Sequence, residues 1–129
     1  MSTNLGAVGM YDPSGGAPNR TFGFRSQAAS LVPQPEILAP VTVVGTALAD
    51  RAAPSLVLRR NGVVFGPSTA AHGTGNFGAY PAYIGMRAGV FSPFNGSLFG
   101  LVIRFGPILS ADEIARAEAY LAVKSGVAP

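Results

Sequence analysis

Apolar and polar positions divide the chain at residue 41 and again at residue 107. Between these points apolar residues alternate with polar ones or fall in short β-branched runs, the pattern of strands; beyond residue 107 they recur at the spacing of a helix. Residues 41–48, with Val41, Val43, Val44 and two threonines, predict a strand. The strongest local signal follows it. Residues 55–60 and 63–65 flank Asn61-Gly62, a dipeptide that accepts the positive φ angles of a two-residue type I′ turn. Such a turn fixes the register, setting Arg60 opposite Val63, Arg59 opposite Val64 and Leu58 opposite Phe65. Leu56, Leu58 and Phe65 then share one face, expected to be the core face.

Residues 66–80 are small and polar without period and read as a loop, which holds His72, the only histidine. A short strand is expected over 82–87, with Ile84 and Met86 on one side and Tyr83 and Arg87 on the other. A turn region over 89–96 closes on Phe94-Asn95-Gly96. In residues 98–105 the alternation is clear: Phe99, Leu101, Ile103 and Phe105 fall on one face, and Leu98, Gly100, Val102 and Arg104 on the other. This predicts a central strand. After Gly106-Pro107, Ser110 and Glu113 have the spacing of a capping box, in which each side chain satisfies the other residue's amide. Asp112 and Glu113 suit the positive end of the helix dipole, and Lys124 followed by Gly126 suits the other end. A helix is thus expected over 110–125, burying Ile114, Ala117, Tyr120 and Leu121.

Residues 1–40 behave differently, with little periodicity and many chain breakers, among them Pro13, Gly15, Gly16, Pro18, Pro33, Pro35 and Pro40. They read as an irregular arm with one short strand over 21–26. An arm of this kind either orders against a neighbouring subunit or stays a loose terminus. The remaining residues, 41–129, form the expected folded domain.

Composition narrows the picture. A chain of 129 residues is one domain by length, and its 17 glycines and 11 prolines imply many turns between short strands. Hydrophobic residues make up 48%, yet no run approaches the roughly 20 apolar residues a membrane-spanning helix needs, so no membrane insertion is expected. The first residues lack the basic segment and apolar run of a secretory signal. Cysteine is absent, which leaves no disulfide framework and no thiol nucleophile. The net charge of +3 comes from scattered residues with Arg59-Arg60 as the only basic doublet, not from the clustered basic face of a nucleic-acid binder.

The order and spacing of these motifs resemble the concanavalin A-like or laminin-G-like jelly rolls, above all those of bacteriophage virion proteins and bacterial surface proteins. The resemblance is carried by Arg60-Asn61-Gly62-Val63, Tyr83-Ile84-Gly85, Phe94-Asn95-Gly96, residues 98–105, Leu109-Ser110-Ala111-Asp112-Glu113 and the stretch from Ala119 to Gly126. It covers roughly residues 40–126. It implies an antiparallel jelly-roll-like β-sandwich closed by one C-terminal helix. The family's domain is usually longer and opens with strands that residues 1–40 do not clearly supply, which points to a reduced sandwich or one completed by a neighbouring chain.

Some relatives of that fold hydrolyse glycans with two carboxylates flanking the bond, about 5 to 9 Å apart. Here only Asp12, Glu36, Asp50, Asp112, Glu113 and Glu118 exist, and no strand carries a pair two positions apart. His72 has Thr69 and Thr74 near it but no local acid to complete a triad. Catalysis is not expected. Calcium, found in some laminin-G-like domains, would have only Asp12 and Asp50 as candidate ligands, both explicable as turn residues, so no cofactor is expected. Glycan binding needs only exposed aromatic faces and a few polar partners. Phe77, Tyr80, Tyr83, Phe91 and Phe94, with Asn76, Arg87 and Asn95, form the candidate platform; the alternative is that they pack the sandwich edge or a subunit contact. The resemblance thus implies a non-catalytic structural component of a virion, a decoration, spike or tail-associated subunit. Its partners would be other virion subunits or copies of itself, and host polysaccharide. A carbohydrate-binding module of a bacterial surface or secreted protein, free-standing or accessory to an enzyme, is the alternative.

Overall fold

The computed structural model describes residues 8–11, 23–26, 29–31, 41–50, 52–70, 81–85, 94 and 96–127. Among the described residues, six short strands form two three-stranded antiparallel sheets, and one helix follows. The first sheet joins β1 (Val8–Tyr11), β2 (Gly23–Ser26) and β3 (Ala29–Leu31) in chain order; the second joins β4 (Gly45–Asp50), β5 (Ser55–Arg60) and β6 (Val63–Ser68). The helix is α1 (Ala111–Ser125). The architecture is mainly β with a C-terminal helix.

The β5–β6 hairpin has the expected register, with Arg60, Arg59 and Leu58 opposite Val63, Val64 and Phe65. Asn61 and Gly62 have φ of 49° and 79°, the left-handed pair that a type I′ turn requires. Farther from the turn the register shifts, and Leu56 stands opposite Ser68. Gly66 and Pro67 together oppose Val57, a bulge on an edge strand where the missing proline amide costs no ladder bond. The shift keeps Phe65 and Ser68 on the side of Leu58 and Leu56.

The strand expected over 41–48 instead runs from Gly45 to Asp50. Two local devices set its ends. Asn61 continues the register past the Gly45–Arg60 pair and holds Val44: its amide donates to the Val44 carbonyl at 2.9 Å and its side-chain Oδ1 accepts from the Val44 amide at 2.8 Å. At the other end Asp50 Oδ1 accepts from the amides of Ala52 and Ala53 at 2.9 and 3.1 Å, which turns the chain into β5.

Leu56 and Leu58 are wholly buried, packed with Phe24 of β2 and flanked by Ala47 and Ala49, which stand opposite Leu58 and Leu56. The small alanine side chains leave room for the Phe24 ring. Fully burying one such leucine is worth about 1.5–3 kcal/mol. Through Phe24 the first sheet covers the inner face of the second. The sequence pattern predicts one strand over 21–26; among the described residues three stand between residues 8 and 31, each too short to show a period.

The outer face of the second sheet meets α1. Alternation along β5 and β4 puts Arg59 and its cross-strand partner Thr46 on the side away from Leu58 and Ala47. There Arg59 forks onto Glu118 of α1, Nε donating to Oε1 at 2.6 Å and Nη2 to Oε2 at 2.9 Å. The helix has its capping box as expected: Ser110 Oγ accepts from the Glu113 amide, and Glu113 Oε2 accepts from the Ser110 amide at 2.8 Å. Gly126, with φ of 72°, caps the other end.

Three expectations require correction. Tyr120 is not part of the buried stripe; it is 59% exposed, under the Lys124 ammonium, which lies 5.6 Å from the ring centre. At about 100° per residue Tyr120 stands about 120° around the helix from Ile114, whereas Glu118, Leu121 and Ser125 lie within about 40° of it. The stripe runs through Ile114, Glu118, Leu121 and Ala122, with a carboxylate in its middle because Arg59 is there to pair it. Residues 81–85 are not a strand, and Gly85 at φ 80° breaks the extended path; residues 86–87 lie outside the described residues. Residues 98–105 run without helix or strand and join no ladder among the described residues, so they are not a central strand here. Alternation specifies two faces but supplies no neighbour for the backbone.

Candidate functional site

Two surfaces carry chemistry that the fold does not use. The first is the 98–105 segment itself. Leu98, Phe99, Leu101, Val102, Ile103 and Phe105 are all exposed, from 49% at Leu101 to 74% at Phe105. Exposed apolar residues scattered singly are ordinary, but a continuous run of this kind marks an interaction surface. Its position is set from both ends. At one end, a methyl group built on Gly100 would sit 2.9 Å from Leu121 Cδ2, so the backbone passes close to the Leu121 side chain of α1. At the other, the Arg104 guanidinium donates from Nη1 to the Pro107 carbonyl at 3.1 Å, closing the turn into the helix. Both alternating sets stay open to solvent, Leu98 and Val102 at 56% and 60% exposure and Phe99 and Leu101 at 53% and 49%.

The second surface is aromatic. Of the candidate glycan platform, Tyr83 is 53% exposed and Phe94 is 41% exposed. The Phe94 amide donates to the Gly85 carbonyl at 2.7 Å, which brings the two segments together. The Phe94 ring folds over Gly96, where an added Cβ would meet ring carbon Cζ at 2.7 Å. Phe77, Tyr80, Arg87, Phe91 and Asn95, with Asn76, lie outside the described residues, as do His72, Asp12 and Glu36.

Three of the described carboxylates, those of Asp50, Glu113 and Glu118, have structural partners. Asp50 holds the β4–β5 turn. The hydrogen bond from the Ser110 amide, joined by that from its hydroxyl, holds the Glu113 carboxyl below the usual glutamate range. Burial pushes the Glu118 carboxyl up, but hydrogen bonds from Arg59 and Thr46, together with the Arg59 charge, outweigh it and leave the group lowered. The same pair raises the Arg59 guanidinium, chiefly through its hydrogen bonds to Glu118. Among the described residues no group of three or more histidine, cysteine or acidic side chains converges as metal ligands would, and no helix is long and apolar enough to cross a membrane.

Sequence reasoning placed residues 98–105 in the core and missed them as a surface. The available signal was that both faces of the segment are apolar, which requires more covering partners than a short chain readily supplies. Comparison with protein-family models, with curated proteins and with solved structures finds no match for the chain.

Proposed function

We propose that the chain is a non-catalytic structural subunit of a phage or phage-like particle, a decoration, spike or tail-associated component built on a reduced laminin-G-like jelly roll. The reading rests on the sequence resemblance over residues 40–126 and on one structural observation, the exposed apolar run of 98–105. A run of this kind, unpaired by any ladder among the described residues, suits a protein whose fold is finished by assembly. Exposed to water on its own, it is an aggregation hazard. The test is fractionation of particles from a lysate of producing cells. The chain should band with intact particles through a density gradient and resist a high-salt wash; a chain found only in the unassembled fraction refutes the reading.

A second reading, glycan binding on the particle or on a bacterial surface, is favoured by the exposed Tyr83 and Phe94 on segments tied by the Phe94–Gly85 hydrogen bond. Aromatic rings stack on sugar faces without any catalytic group. A glycan array should show binding that Tyr83→Ala and Phe94→Ala each weaken. No binding across the array, or binding indifferent to both changes, removes it.

A further inference from the structure

We infer that the partner of the 98–105 segment is the same segment of a second copy of this chain, paired antiparallel about a twofold axis at Val102. The inference rests on the reading of this run as an assembly surface and adds its occupant. The sequence Phe99-Gly100-Leu101-Val102-Ile103-Arg104-Phe105 is nearly a palindrome in size and character. A twofold contact is isologous, so it requires a surface complementary to itself. Antiparallel pairing centred on Val102 sets Phe99 opposite Phe105 and Leu101 opposite Ile103 on one face of the ribbon, and each of these is exposed in the single chain. On the other face the one large charged side chain, Arg104, falls opposite the one residue without a side chain, Gly100.

Charge selects the same arrangement. The segment holds Arg104 and no acid. Parallel in-register pairing would stack arginine on arginine, whereas the antiparallel register keeps the two guanidinium groups at opposite ends of the ribbon, each already anchored to its own Pro107 carbonyl. Gly100 passes close to Leu121 of α1, while Val102, at the twofold position, is 60% exposed, so a second chain can reach the segment there.

The absence of cysteine makes the test clean, since one introduced thiol is the only thiol. The full-length chain should sediment as a dimer at concentrations up to about 100 μM, a range in which even weak self-association is populated. Val102→Cys, at the twofold axis, should crosslink through a short bifunctional thiol reagent at least roughly tenfold faster than Val123→Cys, an exposed control on α1, because pairing raises the local thiol concentration. Leu101→Lys, exposed in the single chain, should leave the helix content unchanged and abolish the dimer. A wild-type chain that stays monomeric overturns the inference, as does equal crosslinking at the two positions or a dimer indifferent to Leu101→Lys. A monomer whose 98–105 amides become protected only on a different polypeptide overturns it too. Failure here is separable from failure of the functional reading: a monomer that still bands with particles refutes the self-pairing alone, and a dimer absent from particles refutes the particle role alone.

Discussion

The contact between Arg59 and Glu118 holds the helix to the sheet, and its strength follows from its geometry. Two hydrogen bonds between charged groups, at 2.6 and 2.9 Å, form a fork, the strongest arrangement open to an arginine and a carboxylate. The side chains retain 22% and 11% of their exposure, so the pair stands between the surface and the buried cases. Surface pairs contribute up to about 1 kcal/mol, and breaking buried ones costs about 3–5 kcal/mol. A double-mutant cycle with Arg59→Met and Glu118→Gln should therefore give a coupling energy of about 1–2 kcal/mol in urea unfolding. Arg59→Met should be the costlier single change, because it leaves the Glu118 carboxylate with a neutral hydrogen-bond donor, Thr46, in place of its countercharge. At this chain length each kcal/mol lowers Tm by about 3–5 °C. Because the Glu118 carboxyl is lowered in the folded chain, its contribution is present above the unfolded glutamate value of about 4.3 and is lost as the pH falls through the folded value. Glu118→Gln should remove that part of the acid sensitivity. A coupling below about 0.3 kcal/mol, or wild-type and Glu118→Gln curves that stay parallel from neutral to acid pH, would refute the reasoning.

Other changes test other parts of the fold. Leu58→Ala, at a wholly buried position, should cost about 2–5 kcal/mol in chemical unfolding, whereas Phe105→Ala in the dilute single chain should stay within about 0.5 kcal/mol of wild type. Asn61→Ala removes the side-chain bond to Val44 and places alanine at positive φ, and a loss of about 1–3 kcal/mol is expected from thermal melts. Ser110→Ala deletes the helix cap and should cost about 0.5–2 kcal/mol, read from the same melts, with increased amide exchange in the first turn of α1.

What could be read in the sequence was whatever local chemistry decides. Asn61-Gly62 dictates its own turn, and the turn dictates three cross-strand pairs. Ser110 and Glu113 recognise each other within one helical turn, so the start of α1 was legible to the residue. What was not legible depends on partners distant in the chain. Nothing near Glu118 announces Arg59, although a carboxylate four positions after Ile114 was a sign that the stripe carried a polar contact. Nothing in residues 98–105 names a neighbouring strand, and alternation alone made a surface segment look like the centre of a sheet. Strands of three or four residues, as between Val8 and Leu31, carry too few alternations to be seen at all. Of the aromatic platform, Tyr83 and Phe94 are exposed on segments held together by one backbone hydrogen bond.

Amide hydrogen exchange across residues 98–105, followed in the dilute single chain and again in the assembled state, separates an open segment from a strand already paired within the fold. Exchange in the dilute chain should be much faster than that of the β5 amides, with strong protection on assembly. Protection of 98–105 in the dilute chain equal to that of β5 would contradict an open segment, because the segment would then already be a paired strand of its own fold with no assembly edge to offer.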